Sequence, residues 1–362
     1  MPKLKLKILF FGPMPKPITG QSIAFKDVYD NLSSQRLLID TTYFGKNKVL
    51  NTLYALLKIT YCFTFKRVDA VYFTCSRSKF GFIKDYFLIL ASHLTKTKIV
   101  NHLHGADFND FVENSGFLRN LVLQTYKRID ISIVLIDDMK QDFIRFPKMK
   151  VFTVWNSYSN IFNSSIEESK APITILYLSN IMATKGVMEF LASAKEVLSN
   201  NYQVKYLIAG SFFSDEKESE TSIKEMFYRE LLKIQHIFGK NRINYIGTVS
   251  GIEKVKIFQK SSIFILPTYY KTEAFPITFI EAMRTGNAII STRHNYIPKI
   301  ITYRNGILVD KKSINQLVTA QEKLIKNPTI LETIQKYNIE YSKENFSPQQ
   351  YISNIENIFL QI

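Results

Sequence analysis

Residues 263–291, IFILPTYYKTEAFPITFIEAMRTGNAIIS, form the stretch that decides the fold. They contain a short apolar strand, Ile263–Leu266, then a loop, an amphipathic helix, Ile277–Arg284, and a second apolar strand, Ala288–Ser291. Two strands joined through a helix in this way run parallel in one sheet. The stretch therefore predicts a parallel α/β sheet, in which ligands bind beyond the carboxyl ends of the strands.

The same alternation of short strands and longer helices runs along the rest of the chain. Predicted strands cover 6–11, 70–74, 98–103, 131–135, 151–154, 173–178, 204–209 and 243–246, and predicted helices cover 22–32, 51–65, 82–94, 118–128, 185–198, 223–238 and 252–259. Residues 163–172, NSSIEESKAP, interrupt the alternation because they are polar and lack periodicity. We therefore predict two doubly wound, Rossmann-like α/β domains facing a cleft, over 1–165 and 166–345, with a C-terminal helix over 346–362 packing back across them.

Composition and cysteine content are those of an ordinary globular protein. Of the 362 residues 46% are hydrophobic and 22% charged, which excludes a disordered or low-complexity chain. Cys62 and Cys75 cannot build a disulfide framework, and neither has a zinc-binding spacing. The apolar run Tyr86–Leu94 is too short to span a membrane. The apolar segment near the start ends at Gly12-Pro13, which favours a first strand over a signal peptide, so we expect a cytoplasmic protein.

The net charge is strongly positive and is concentrated in the first half. The chain has 47 basic and 31 acidic residues, a net charge of +16, and residues 1–165 hold 23 of the basic and 12 of the acidic residues, or +11. Such an excess favours an anionic partner, whether nucleic acid, anionic lipid or a phosphorylated substrate. A solvated, lysine-rich surface is the alternative. No recognition-helix cluster or aromatic–basic RNA motif is present, so we do not expect nucleic acid to be the partner.

Three charged residues of the second half lie where a parallel sheet binds ligands. Lys185 follows a strand within SNIMATKG and lies beside a helix start, where a point charge and the helix dipole favour a diphosphate. Glu273 lies in the loop after strand 263–266, and Glu281 lies eight residues later inside an otherwise apolar helix. Two carboxylates so placed accept hydrogen bonds from hydroxyl pairs of a sugar or ribose. The alternative for Glu281 is a charge that favours the helix dipole.

Two loops of the first half are less specific candidates. Gly20 follows the first strand within PITGQS and allows the backbone to approach a phosphate, although a plain strand-to-helix turn has the same pattern. His102 and His104 alternate onto one side of the third predicted strand, with His104 at its tip. A packed structural pair is the alternative to a site. A metal would need a third ligand, and only Asp107 is close, so we predict no metal site.

These residues also carry a resemblance to a known family. Residues 244–308, with the pieces YIGTVSGIEKVKIFQKSSIFILPTYYKTEAFPITFIEAMRTGNAII and RNGILV, resemble the C-terminal signature of the retaining, metal-independent GT-B glycosyltransferases of group 1. The E-x7-E element runs from Glu273 to Glu281, and SNIMATKG is its paired loop. The weaker matches PITGQS, HLHGADF and Trp155-Asn156-Ser157 extend the resemblance over nearly the whole chain.

The resemblance implies a role for each matching residue. It implies that donor-binding residues are Gly20, Asn180, Lys185, Thr248, Val249, Glu273, Ala274, Phe275, Pro276, Ile277 and Glu281, and that His104, Lys185 and Glu273 are catalytic. Gly20 and Lys185 would contact the donor diphosphate, and Glu281 the ribose. Glu273 would hold the transferred sugar, helped by backbone N–H groups around Phe275 and Ile277. His104 would lie where sugar and acceptor meet, and Thr248 and Val249 near the base.

Three positions depart from the family pattern. Asn180 replaces the usual Arg, Ala274 the usual Gly, and Lys299 the usual Glu. The first change removes one cation from the diphosphate site, so that phosphate binding depends more heavily on Lys185.

The activity that the resemblance implies is retaining sugar transfer without a cofactor or metal. The donor would be a nucleoside-diphosphate sugar, with UDP favoured and GDP-mannose possible. The acceptor would be a hydroxyl of a saccharide or of a polyprenyl-diphosphate-linked sugar in bacterial surface polysaccharide synthesis, whether O-antigen, capsule or lipopolysaccharide. A sugar-nucleotide epimerase or hydrolase of the same fold is the alternative.

An acceptor linked to an anionic lipid would explain the positive first half. The predicted helix Asn51–Phe65, NTLYALLKITYCFTF, is aromatic and apolar and is followed by Lys66-Arg67, as in an interfacial helix. We therefore expect peripheral attachment to an anionic surface on the inner face of the cell membrane. A helix buried in the core is the alternative.

Overall fold

The computed structural model describes residues 6–15, 18–45, 47–163 and 172–362. The chain divides into two units, one formed by Met1–Asn156 with Gln349–Ile362 and the other by Ser157–Pro348. The predicted boundary after residue 165 lies outside the described residues. None of the described helices is long and apolar enough to cross a bilayer.

The first unit is built on a parallel sheet of six strands. The strands are β1 (Lys7–Gly12), β2 (Gln35–Asp40), β3 (Ala70–Phe73), β4 (Lys98–Leu103), β5 (Ile131–Val134) and β6 (Lys150–Thr153). The helices between them are α1 (Gly20–Asn31), α2 (Lys48–Phe65), α3 (Lys79–Leu94), α4 (Phe108–Glu113) and α5 (Arg119–Tyr126). The strand order is β2-β1-β3-β4-β5-β6. The chain therefore changes direction between β1 and β3, and the loops after these two strands diverge to leave a crevice.

The second unit repeats this arrangement. Its strands are β7 (Thr174–Leu178), β8 (Lys205–Ala209), β9 (Ile243–Tyr245), β10 (Ile263–Leu266), β11 (Ala288–Thr292) and β12 (Gly306–Val309). Its helices are α6 (Val187–Ser199), α7 (Glu220–Phe238), α8 (Gly251–Lys260), α9 (Ile277–Arg284), α10 (Ile297–Ile300), α11 (Ile314–Lys326) and α12 (Pro328–Asn345). The order β12-β11-β10-β7-β8-β9 makes β7 and β10 neighbours, so the crevice of this sheet lies beyond their carboxyl ends.

A last helix, α13 (Pro348–Phe359), completes the core of the first unit. Its apolar side is buried among the strands and α1, in a cluster that includes Tyr351, Ile355, Ile358 and Phe359 together with Ile8, Phe10, Val28, Tyr72, Val100 and Ile133. The carboxylate of Glu356 also accepts a hydrogen bond of 3.1 Å from the backbone N–H of Ser33. The end of the chain is thus part of the unit that its beginning forms.

Candidate active site

Two loops are held together at the crevice of the second sheet, one after β7 and one after β10. The backbone N–H of Tyr269 donates to the carbonyl of Thr184 at 2.8 Å. Gly186 has a φ of +76°, and a Cβ at this position would lie 2.2 Å from the carbonyl oxygen of Pro267. Only glycine therefore permits both the left-handed backbone and the close approach of the two loops.

Each of these loops contributes one partner to an ion pair. The ammonium group of Lys185 contacts Oε2 of Glu273, and the two side chains are only 13% and 10% exposed. The hydroxyl of Thr268 donates to the same carboxylate oxygen at 3.3 Å, and the ring centroid of Tyr270 lies 4.9 Å from the Lys185 ammonium. The crevice therefore contains a cation that can bind an anion, Lys185, and a carboxylate that can accept hydrogen bonds from hydroxyl groups, Glu273.

The turn that presents Lys185 is fixed by Asp215. The backbone N–H and the hydroxyl of Thr184 both donate to Oδ2 of Asp215 at 2.8 Å. Burial raises the pKa of Asp215, but hydrogen bonds from the N–H groups of Thr184, Glu218 and Lys217 outweigh it and hold the pKa below its usual range. Lys185 ends a 3-10 turn, and α6 begins two residues later than the sequence predicts.

The loop that carries Glu273 is fixed by two residues that follow β11. The side-chain amide of Asn295 donates to the carbonyls of Lys271 and Glu273, both at 2.9 Å. Nε2 of His294 donates to the carbonyl of Tyr270 at 2.8 Å. Sequence reasoning missed both residues, since only the pairing of β10 with β11 brings this segment to the loop.

A second, more deeply buried ion pair joins α8 to α9. Both carboxylate oxygens of Glu281 lie within 2.7 Å of the ammonium nitrogen of Lys254, and Glu281 is only 4% exposed. Burial raises the pKa of Glu281, and the charge of Lys254 opposes that effect. The alternative that Glu281 is a charge that favours the helix dipole does not account for this burial and this partner. Lys254 was not predicted, because the sequence gives no sign that it meets a residue 27 positions away.

The predicted base-binding residues lie at the same edge of the sheet. Thr248 is exposed and Val249 half-buried, just beyond β9. The hydroxyl of Thr248 shares a hydrogen bond of 2.6 Å with that of Ser211, which follows β8 and was not predicted. Asn180 is half-buried directly after β7. Three strand ends thus bring these polar groups together.

The segment leading into α9 has mainly buried side chains. Ala274, Phe275 and Pro276 are buried, and Ile277, the first residue of α9, is half-buried. The Phe275 ring packs edge-on against Phe346, with centroids 5.8 Å apart. These side chains anchor the loop. The segment can bind a ligand through the start of α9, where backbone N–H groups have no acceptor within the helix.

The two predicted residues of the first unit lie beyond β1 and β4. Gly20 is exposed as the first residue of α1, and Thr19 and Ser22 form a capping box around it. The motif PITGQS around Gly20 begins with Pro17, which lies outside the described residues. The backbone around Gly20 has the geometry of an ordinary capped helix start, and Gly20 is accessible to solvent there.

His104 has an unusual environment at the end of β4. Its ring lies against that of His102, with centroids 4.1 Å apart, and His102 Nδ1 is hydrogen-bonded to the Tyr72 hydroxyl at 2.7 Å. Nε2 of His104 is shielded from solvent and has no hydrogen-bond partner among the described residues. Burial, assisted by the charge of Arg77, lowers the pKa of His104 to about 3, so the ring is neutral near pH 7.

Residues 160–343, just over half of the chain, match the family described as Glycosyl transferases group 1. This chain belongs to that family. The matched segment contains both ion pairs, Lys185–Glu273 and Lys254–Glu281. The resemblance seen in the sequence is thereby confirmed.

Two glycosyltransferases with named activities are similar to this chain. CapM of Staphylococcus aureus, a capsular polysaccharide biosynthesis glycosyltransferase, is 25% identical over 69% of this chain and 61% of its own length. A 2-deoxystreptamine N-acetyl-D-glucosaminyltransferase of Niallia circulans is 22% identical over 75% of this chain and 69% of its own. The match to CapM thus spans less than two thirds of that relative.

Solved structures with the same fold cover almost all of this family member. Sucrose-phosphate synthase from Thermosynechococcus elongatus superposes with a TM-score of 0.75 at 12% identity, over 99% of both chains. Anabaena HepE, solved with UDP-glucose, gives a TM-score of 0.75 at 14% identity, over 99% of this chain and 100% of its own. The predicted α/β fold of GT-B type, with two Rossmann-like parallel sheets, is confirmed.

Proposed function

We propose that this chain is a retaining glycosyltransferase that moves a sugar from a nucleoside-diphosphate donor to a hydroxyl of a saccharide or lipid-linked acceptor. The process is synthesis of a bacterial surface polysaccharide, with a UDP-sugar as the favoured donor and GDP-mannose as the second candidate. Support comes from the capsule role in the name of CapM and from the structures of HepE with UDP and UDP-glucose.

The observation that carries this proposal is the Lys185–Glu273 pair at the crevice of the second sheet. In the ligand-free chain each group neutralises the other. A nucleoside-diphosphate sugar offers a better partner to both, because its diphosphate attracts the ammonium and its sugar hydroxyls donate to the carboxylate. Glu281 and Lys254 are placed to bind the ribose, with the carboxylate accepting its hydroxyl protons.

The reaction itself separates the sugar from the diphosphate. Negative charge then develops on the leaving phosphate, and Lys185 with the N–H groups at the starts of α6 and α9 stabilises it. In a front-side displacement the acceptor oxygen bonds to the anomeric carbon as the sugar–phosphate bond breaks, and the acceptor proton passes to the leaving phosphate. Glu273 orients the sugar, and the neutral ring of His104 is a hydrogen-bond partner for a sugar hydroxyl.

A donor screen tests the proposal. The purified chain is incubated with a panel of UDP-, GDP- and dTDP-sugars, and release of nucleoside diphosphate is measured with and without a lipid-linked saccharide acceptor. We expect one donor to be consumed, with release stimulated by the acceptor. Release at the same rate without acceptor would instead identify a hydrolase or epimerase.

Two substitutions test the site. We expect Lys185→Ala and Glu273→Ala to abolish transfer, and because each leaves the other, nearly buried charge without its partner, each should also lower the melting temperature while the chain stays folded. Lys256→Ala and Glu253→Ala are matched controls, since these residues form an exposed pair on α8. Near wild-type turnover of either site variant at saturating donor would show that the assignment is wrong.

The metal-independent scheme has its own test. Lys185 and the helix starts supply the positive potential that a divalent cation would otherwise provide, so transfer should persist in excess EDTA. Loss of transfer on chelation, with recovery on adding manganese, would overturn this scheme.

We also propose that the first unit attaches to anionic lipid at the inner face of the cell membrane, which makes this a peripheral cytoplasmic enzyme. One side of α2 is buried through Asn51, Ala55, Ile59 and Cys62. The other side exposes large apolar side chains, namely Leu50, Leu53, Leu57, Tyr61 and Phe65. This division supports an interfacial helix over a helix buried on all sides.

The neighbouring helix α3, which packs against α2, extends the exposed apolar area. Its exposed members are Phe80, Ile83, Phe87 and Leu94, and together with those of α2 they form what we call the α2–α3 surface. Lys58, Lys66 and Arg67 flank it with positive charge. Apolar area of this extent beside cations suits the boundary between lipid tails and anionic headgroups.

A further inference from the structure

A cavity of about 230 Å³ lies at the crevice of the first sheet. It is lined by Phe11, Pro13, Gln21, Thr41, Thr74, Cys75, Ser76, Arg77, Ser78, Gly81 and Lys84. The lining thus comes from the ends of β1, β2 and β3 and from the first turns of α1 and α3. In doubly wound sheets the point where the strand order reverses is where ligands bind.

Lys84 gives this cavity an uncommitted positive charge. Its ammonium reaches the carbonyl of Thr41 at 3.4 Å and forms no ion pair with a carboxylate among the described residues. Asp40 and Asp85 lie near, but each already accepts several hydrogen bonds, Asp40 from residues 14 and 42 and Asp85 from residues 76 and 126. Burial lowers the pKa of Lys84, as expected for a cation without a close partner.

Thr74 supplies a second, independent sign of a ligand. Its side chain is only 5% exposed, and its hydroxyl has no hydrogen-bond partner among the described residues. Buried hydroxyl groups are nearly always hydrogen-bonded, so an orphan that lines a polar cavity indicates a missing partner. The Thr74 hydroxyl and the Lys84 ammonium are therefore two donors that a single acceptor inside the cavity would satisfy.

Other groups around the cavity are donors as well. Arg77 lies between the cavity and Asp107, to which it is ion-paired, and its Nη2 is 3.4 Å from the side-chain oxygen of Gln21. Ser78 accepts from the N–H of Gly81, so its own proton is available. Of the described residues that line the cavity, none is acidic. The volume is below the roughly 300–1,000 Å³ of pockets that enclose a drug-sized ligand, and it suits a single substituent of a larger molecule.

Arg77, which lines the cavity, also packs against the residue that follows His104. A Cβ at Gly105 would lie 1.3 Å from Nη1 of Arg77, so the guanidinium packs directly on the residue after His104. On its other side the cavity reaches Gly81, next to Phe80 of the α2–α3 surface. A group bound here would therefore lie between the histidine assigned to the sugar–acceptor junction and the surface assigned to lipid.

We propose that this cavity binds a phosphoryl group of the acceptor, held by Lys84, Arg77 and the Thr74 hydroxyl. The enzyme would then require a phosphorylated acceptor, and its reaction must follow a step that attaches phosphate or diphosphate to the acceptor. This inference rests on the proposed function for the identity of the acceptor but not for the binding of phosphate. Both a lipid-linked phosphate and a soluble sugar phosphate offer the required group.

Calorimetric titration of the full chain tests the proposal. The Lys185→Ala variant serves as background, so that phosphate bound at the donor site does not contribute. The probes are inorganic phosphate, glucose 1-phosphate and geranyl phosphate, with geraniol and acetate for comparison. Lys84→Gln should weaken binding of the phosphate probes about tenfold or more, and Thr74→Val several-fold. Lys127→Gln, an exposed position after α5, is the matched control and should change nothing.

The comparison of probes identifies the source of the phosphate. Tighter binding of geranyl phosphate supports a lipid-linked acceptor, and tighter binding of glucose 1-phosphate supports a soluble one. Unchanged binding by Lys84→Gln, no binding of any phosphate probe, or acetate binding as tightly as phosphate would overturn the proposal. UDP binding is measured separately on chains that retain Lys185. If UDP and GDP fail to bind while the phosphate probes bind through Lys84, the proposed function fails and the phosphate site stands.

Discussion

The role proposed for Glu281 is to bind the donor without taking part in the chemical step. Its carboxylate is buried on α9 and is oriented by Lys254 of α8. The Lys185–Glu273 pair lies on other segments, the loops after β7 and β10. Ribose hydroxyls stay chemically unchanged during transfer, so contacts to them strengthen the ground state and the transition state equally.

We therefore predict a selective kinetic effect for Glu281→Gln. The KM for the donor should rise about tenfold, while kcat stays within about twofold, since uniform binding is lost. Steady-state kinetics at varied donor concentration provide the measurement. A large fall in kcat at unchanged KM would contradict the ribose role.

The partner of Glu281 leads to a prediction about stability. Lys254→Met leaves a carboxylate that is almost fully buried without its cation, which should lower the free energy of unfolding by about 3–5 kcal/mol. The double variant Lys254→Met with Glu281→Leu replaces both charges with apolar side chains and should recover most of that loss. Chemical denaturation of the four proteins of this cycle is the test. A double variant no more stable than Lys254→Met would show that the pair is not the cause.

Asp85 supports the loop that forms the phosphate cavity, and it makes unfolding depend on pH. Its carboxylate is fully buried and accepts hydrogen bonds from Ser76 and from the Tyr126 hydroxyl. Burial raises its pKa from the usual 3.8 to about 6, an effect that those hydrogen bonds only reduce. The folded chain therefore binds a proton more tightly here than the unfolded chain does.

From this it follows that Asp85 makes the fold less stable as the pH rises from about 4 to 6. The contribution is at most about 3 kcal/mol, at 1.36 kcal/mol per unit of pKa. Asp85→Asn keeps the shape and removes the titration, so the difference in unfolding free energy between wild type and variant should change across this range and be flat above it. A constant difference from pH 4 to 7 would contradict the assignment.

At the scale of elements, the contact between the β7 and β10 loops depends on Gly186. Gly186→Ala must adopt a left-handed backbone and place its Cβ against the Pro267 carbonyl. Gly45→Ala is a matched control, because Gly45 has a φ of +58° but open space around it. We expect Gly45→Ala to destabilise by about 1 kcal/mol and Gly186→Ala by clearly more, with donor binding lost only in the latter. Equal melting temperatures for the two variants would show that the loops do not need this close contact.

At the scale of the sheets, both strands that the sequence missed, β2 and β12, lie at a sheet edge, although the edge strands β6 and β9 were predicted. The central strands β3, β7 and β10 were predicted because their runs are almost entirely apolar, and β4 because Ile99, Val100 and Leu103 are apolar around Asn101 and His102. β2 was missed, since QRLLID begins with two exposed polar residues at an edge of the first sheet. β12 was missed because GILV is short and begins with glycine. Helices α11 and α12 were not predicted at all, although both pack on the second sheet.

The residues of the candidate site also differ in how far the sequence could predict them. The proximity of Lys185 and Glu273 could be predicted because each lies in the loop that follows a strand, and strand ends of a parallel sheet meet at one edge. Lys254, Asp215, His294 and Asn295 could not, because each reaches the site through contacts between elements that are distant in sequence. Their residue types are unremarkable at those positions in the sequence.

At the scale of the whole chain, the N-terminal half and the last helix belong to the same unit. The predicted C-terminal helix exists, and α13 buries Tyr351, Ile355 and Phe359 in the core of the first unit. The sequence predicted a helix that packs back across the domains; the structure describes its packing within the first unit, and the rest of that expectation stays a prediction. The positive charge, by contrast, needed the structure to become informative, since it is the folded chain that exposes the apolar side chains of the α2–α3 surface beside Lys58, Lys66 and Arg67.

That surface leads to a prediction for the full-length protein and lipid vesicles. With +11 on residues 1–165 and exposed apolar side chains on α2, the chain should sediment with anionic vesicles and not with neutral ones. Each basic residue near an anionic surface contributes about 1 kcal/mol, so Lys58, Lys66 and Arg67 changed together to Ser should weaken binding about a hundredfold. Binding should also fall steeply as salt rises through the physiological range.

Two further variants separate this surface from charge in general. Leu57→Ser with Phe65→Ser removes the two most exposed apolar side chains of α2, 74% and 71% exposed, and should weaken binding even at low salt, where the electrostatic attraction is intact. Lys224, Arg229 and Lys233 on α7, changed together to Ser, remove the same charge from the second unit and should have a smaller effect, because α7 exposes two large apolar side chains, Leu232 and Ile237, against nine on the α2–α3 surface. Cosedimentation gives the partition, and donor hydrolysis should be the same in all variants, since none of these residues touches the donor site. If the α7 triple variant loses as much binding as the α2 triple variant, the attraction is a property of net charge alone and the α2–α3 surface is not the membrane contact.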